Sequence, residues 1–204
     1  MENNNYLKKT LSYWSDSNFL SKFFLSFGIF TFALIINYYA VRYATLNSGE
    51  PIRDLVLDAI PKIDTAVIHG TVASLIEVLT LIVLIFNPKF VNFTLKAVSL
   101  LVLTRAIFVN LTFLGIPYDS TPLRSYYTYG GDLFFSGHVA TAFMVALIFW
   151  NIPKIRYVYL FISIFMGVEV LLGHYHYTID VLAAPLITYS IFTIAKKIFK
   201  EDAE

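Results

Sequence analysis

The sequence predicts an all-α membrane protein, a bundle of six transmembrane helices with both termini in the cytoplasm. Three observations carry that expectation. Of the 204 residues, 57% are hydrophobic and only 14% charged, more apolar surface than a soluble domain can hide. The apolar residues gather in blocks close to the roughly 20 residues of helix that cross a bilayer. The Lys and Arg residues then divide unevenly between the two ends of those blocks.

Residues 1–18 are polar and, with Lys8, Lys9 and Trp14, suit an interfacial lead-in. Asp16 or Ser17 can cap the first span, expected from Phe19 to Tyr43. That block is too long for a signal-peptide core and no small-residue cleavage site follows it, so a retained span is expected. The connection Thr45–Ala66 holds Asp54 and Asp58 at helical spacing before Pro61, which fits a short interfacial helix or a solvated loop. The second span is expected at Val67–Phe86. Asn87-Pro88-Lys89 turns tightly into the third, Phe90–Leu114, making the two antiparallel neighbours.

The loop Ile116–Leu133 carries Tyr118, Tyr126, Tyr127 and Tyr129, rings that suit the headgroup region. The fourth span is expected at Phe134–Ile152, the fifth at Tyr157–Leu172 and the sixth at Thr178–Ile198, with Pro153–Arg156 as a second tight turn. Residues 19–199 thus form one membrane domain, and 200–204 a polar tail. Ten of the 15 Lys and Arg residues fall on the side shared by the termini and the tight turns. Four (Arg42, Arg53, Lys62, Arg124) fall on the other, and Arg105 lies inside a span. The positive-inside rule puts the first side in the cytoplasm and both histidine-bearing segments on the opposite face.

A formal net charge of +1 gives no reason to expect a nucleic-acid partner. The absence of cysteine excludes disulfides, thiolate chemistry and cysteine-based zinc sites. No cluster with metal-ligand spacing is apparent, and neither a metal nor another cofactor is expected.

Ionisable groups inside spans are costly, so function is the default reading for them. His176 and Asp180 stand four apart at the head of the sixth span, on one helical face. A carboxylate on one imidazole nitrogen fixes the tautomer and leaves the other nitrogen as base or nucleophile. His138 heads the fourth span behind Ser136 and Gly137. Glycine there permits close backbone approach, and free amides at a helix start suit a phosphate oxygen. Arg105 within the third span reads either as a phosphate clamp or as a structural ion pair with Glu77 or Glu169. The structural reading is preferred for Glu77 and Glu169 themselves. His69 reads as a polar residue at headgroup level.

Two stretches, Gly131–His138 (Gly-Asp-Leu-Phe-Phe-Ser-Gly-His) and His174–Val181 (His-Tyr-His-Tyr-Thr-Ile-Asp-Val), resemble the signature motifs of the sphingomyelin synthase family. That family is the synthase-related branch of the type-2 phosphatidate phosphatase superfamily. Arg105–Pro117 resembles its third-span motif and Arg53–Pro61 the segment before its second span; the likeness runs in order from about residue 50 to 195. The resemblance implies a catalytic triad at His138, His176 and Asp180. Candidate substrate- or phosphate-binding positions are Arg105, Ser136, Gly137 and Asp132, with His174 and Tyr177 in support. Hydrolytic members carry a Lys/Arg-Pro motif and a second arginine ahead of the later histidine, where this chain has Arg105-Ala106 and Val170.

These departures favour headgroup transfer from a phospholipid donor, phosphatidylcholine or phosphatidylethanolamine, to a lipid hydroxyl such as ceramide. A lipid phosphatase or phospholipase C-like hydrolase is the nearest alternative, and a non-catalytic lipid-binding or transport protein the more distant one. The expected site faces the extracytoplasmic side, of a bacterial inner membrane or, in a eukaryote, of the Golgi or plasma membrane.

Overall fold

The computed structural model describes residues 2–120 and 131–203. Arg124, Tyr126, Tyr127 and Tyr129, counted above among the charges and headgroup-level rings, lie outside the described residues. The described residues form helices α1 (Glu2–Ser15), α2 (Ser17–Leu46), α3 (Ala66–Phe86), α4 (Val91–Phe108), α5 (Gly137–Ile148), α6 (Pro153–Leu172), α7 (Thr178–Ile198) and α8 (Lys200–Ala203), with no strand among them. Among the described residues, five segments are long and apolar enough to cross a membrane: α2, α3, α4 with its leading 3₁₀ turn, α6 and α7. The expected fourth span is a helix of only 12 residues, shorter than a full crossing.

Local chemistry sets most of the boundaries. The Asp16 carboxylate accepts the Asn18 amide at 3.0 Å and caps α2. The lead-in ahead of it is itself helical; Trp14 packs edge-on against Phe19 and Phe23 of α2. Pro153 stands in the first turn of α6, where its missing N–H costs nothing. Around Asp54 the chain makes turns rather than a helix, and the Asp54 carboxylate accepts the amides of Val56 and Leu57.

The short α5 is the centre of the molecule. Val139, Ala140, Ala142 and every residue from Met144 to Ile148 are buried against α6, α7 and α4. Three alanines in three turns let the neighbouring backbones approach closely, as packing inside a membrane demands. The outward faces of α2, α3, α6 and α7 instead expose large apolar side chains such as Phe32, Leu75, Phe161 and Leu186, a surface suited to lipid tails.

The two ends of the bundle differ in construction. At one, α1 and α8 gather around the Pro88–Phe90 turn, and the Lys96 Nζ lies 2.5 Å from Asp202. At the other, three connections are laced together by backbone. The Ile63 amide donates to Leu172 O at 2.8 Å, Gly49 to Phe113 O at 2.9 Å and Ser136 to Asp180 O at 3.1 Å. The Tyr177 hydroxyl donates to Gly115 O at 2.8 Å and accepts the Ile52 amide at 3.1 Å. Both histidine-bearing segments belong to this second end.

Candidate functional site

The Ser136–Asp180 backbone bond joins the start of α5 to the start of α7. From α7, Asp180 is fully buried, and its Oδ2 accepts the Tyr177 amide at 3.0 Å while standing 3.3 Å from His176 Nδ1. One carboxylate oxygen therefore caps the helix and holds the imidazole, leaving Nε2 of His176 as the nitrogen free to react. The other oxygen, Oδ1, is buried with no hydrogen-bond partner, as is the hydroxyl of Ser136. Unmet buried polar atoms at a cluster of histidines suit a polar ligand. From α5, His138 lies within electrostatic range of His176, His69, Asp132 and Arg105.

Arg105 is buried near the end of α4 and grips the segment leading into α5. Its Nε donates to Phe135 O at 2.6 Å, its NH2 to Asp132 O at 3.0 Å, and its NH1 pairs with the Asp132 carboxylate. The partner of Arg105 is thus Asp132, and neither Glu77 nor Glu169. Gly137 lies over the guanidinium; a Cβ there would come to 3.3 Å from Arg105 Nε, a tight contact against a side chain held by its own hydrogen bonds. The planar fork therefore positions the Ser136-Gly137-His138 turn from below.

His174 adopts a left-handed backbone (φ 55°), sparsely populated by residues other than glycine, with its Nε2 buried and without a hydrogen-bond partner. It borders a polar cleft of about 390 Å³ whose walls include Arg53, Lys62, Asp58, Tyr118 and Asp119. Asp54 braces the same end: its carboxylate accepts the Thr178 amide and hydroxyl, each at 2.7 Å. Burial opposes ionisation of Asp54, but the bonds from Leu57, Thr178 and Val56 outweigh it and hold the carboxyl below its usual range.

Two residues that the sequence reading set aside join the cluster. His69, in the first turn of α3, places Nδ1 2.9 Å from Oε2 of Glu169, in the last turn of α6, and both are buried. The His69 ring meets His138 edge to face, with centroids 4.7 Å apart. The pair is 100 residues apart in sequence, so no local pattern announces it; only the cost of a buried carboxylate pointed to Glu169. Glu77 is exposed on the outer face of α3, away from these contacts. Val170, where hydrolytic members are expected to carry arginine, is fully buried.

Residues 130–197 match the family described as PAP2 superfamily C-terminal, a segment that runs from just ahead of Asp132 through α7. No curated protein and no solved structure matches the chain. The match covers every site residue expected from the sequence except Arg105, and leaves out His69 as well; it supports the type-2 phosphatidate phosphatase superfamily, and fits a phosphatase or phosphotransferase of lipid phosphates.

Proposed function

We propose that this protein is a membrane-embedded phosphotransferase that moves a phospholipid headgroup, phosphocholine or phosphoethanolamine, from a glycerophospholipid to a lipid hydroxyl such as ceramide. The observation that carries the proposal is the buried His176–Asp180 pair, tied through the Ser136–Asp180 backbone bond to the turn that bears His138.

In the first half-reaction His176 Nε2 attacks the donor phosphorus. The N–P bond forms as the P–O bond to diacylglycerol breaks, and His138 gives its proton to the departing oxygen. Asp180 steadies the imidazole and the positive charge it gains. In the second half the acceptor hydroxyl gives its proton to His138 and attacks the phosphorus, and the N–P bond breaks. Splitting one difficult displacement in two is the advantage of a covalent intermediate. Asp132, Ser136 and Gly137 would form the phosphate-facing rim with Arg105 beneath them. His174 would border the cleft that Arg53 and Lys62 line, and Tyr177 would support the site from within, its hydroxyl bonded to Gly115 and Ile52. In this reading α5 serves as the fourth of six spans, the termini are cytoplasmic and the cleft opens on the extracytoplasmic face.

The test is to reconstitute the purified protein with labelled phosphatidylcholine or phosphatidylethanolamine, with and without ceramide. The reading expects a labelled sphingophospholipid only with ceramide, and none from His176→Ala. Release of free headgroup phosphate without a new lipid would instead assign the hydrolase chemistry that the superfamily match also fits. A wild type that yields neither product would overturn the enzymatic reading.

A further inference from the structure

The buried pair His69–Glu169 has no part in the chemistry just described, yet it is built into the same cluster. Replacing such a pair by well-packed apolar residues is commonly neutral or stabilising, so burying it is not explained by stability. Its surroundings supply another reason. Glu169 Oε2 holds His69 Nδ1 at 2.9 Å. The Tyr175 ring packs on one side of the His69 ring, with centroids 5.0 Å apart, and the His138 ring on another at 4.7 Å and 80°. An imidazole anchored at one nitrogen has its ring plane set, and a ring set in that way limits the orientations open to the ring it touches.

We propose that His69, anchored by Glu169, is the positioning residue of His138, holding that imidazole in the orientation from which it protonates the departing lipid oxygen. The inference rests on the proposed function and adds a role for two residues outside the triad. Three elements then converge on His138: Arg105 of α4 from beneath its turn, His69 of α3 against its ring, and Glu169 of α6 behind His69.

The test compares two donors with the same headgroup, phosphatidylcholine and nitrophenyl phosphocholine, in lipid nanodiscs. Nitrophenolate departs without a proton, so its release does not need His138 as an acid. The double variant His69→Phe/Glu169→Leu keeps a ring beside His138 and leaves no unpaired carboxylate, which guards the fold. It is expected to lower kcat on phosphatidylcholine about 100-fold, with KM within about threefold, and to slow nitrophenol release by less than about threefold. Glu169→Gln, which keeps a hydrogen-bonding partner for Nδ1, should recover most of the activity on phosphatidylcholine that Glu169→Ala loses. Equal losses on both esters, or full activity of the double variant on phosphatidylcholine, would overturn the inference while leaving the proposed function standing. A wild type active on neither ester would overturn both.

Discussion

Among the described residues, two buried histidine–carboxylate pairs stand at one end of the bundle, and they are made in opposite ways. His176 and Asp180 are four residues apart, so the start of a single helix brings them together. His69 and Glu169 are 100 residues apart and meet only because the start of α3 is packed against the end of α6. The local pair is looser, at 3.3 Å, and its carboxylate also caps a helix; the long-range pair is closer, at 2.9 Å, and touches His138 by its ring. A pair assembled at a helix start, with His176 just ahead of α7 and Asp180 in its first turn, survives changes in packing elsewhere. A pair assembled between helices reports on that packing and depends on it.

Mutations can break this contrast in graded steps. The largest expected effect is on the local pair. His176→Ala should remove headgroup transfer by about 10⁴-fold or more, and Asp180→Asn should cost about 10³-fold by loosening the imidazole, both read as initial rates on labelled donor lipid. Glu169→Ala strips His69 of its anchor across a helix interface and should destabilise the fold by about 3 kcal/mol, read as a fall in the midpoint of thermal unfolding in detergent.

Arg105→Lys sharpens the comparison from a third direction. A single ammonium cannot reproduce the three donors that reach Phe135 and Asp132, so about 2 kcal/mol of stability should go, with a further loss of transfer because the His138 turn loosens. If Arg105→Lys behaves as wild type in both assays, the fork does not position that turn.

The smallest effect belongs to Asp54, which braces the start of α7 from the loop before α3. Asp54→Asn should cost about 1 kcal/mol at neutral pH. Because the folded-state carboxyl titrates below its unfolded value, this stabilisation is present in full above the unfolded value of about 4 and lost as pH falls through the folded one. The unfolding midpoints of wild type and Asp54→Asn should therefore converge on acidification. Divergence towards low pH would contradict the direction of the shift.

Much of this architecture is readable from periodicity and punctuation. Hydrophobic blocks place α2, α3, α6 and α7 within a few residues of their observed bounds, and Asp16 marks a start because it acts on its own backbone, whereas Pro153–Arg156, expected as a tight turn, is the first turn of α6, where proline is accommodated. The fourth block misleads, since apolar residues continue from Phe134 to Ile152 while the helix occupies only Gly137–Ile148. Hydropathy reports burial of either kind, in lipid or in protein, and α5 is buried in protein. The partner of Arg105 was equally illegible: an acid in a loop 27 residues on satisfies the guanidinium, whereas the sequence offered two acids inside spans.

What the sequence by itself determined is what depends on near neighbours: an all-helical membrane chain, the Asp16 cap of α2, and the His176–Asp180 pair four residues apart. Only the tertiary structure decided that α5 lies at the centre, that Arg105 holds Asp132 and that His69 and Glu169 stand behind His138. The physical reason is range. A helical turn fixes distances over four residues, whereas contacts between spans follow from which apolar faces pack together, and many pairings of similar faces are open to one hydrophobic pattern.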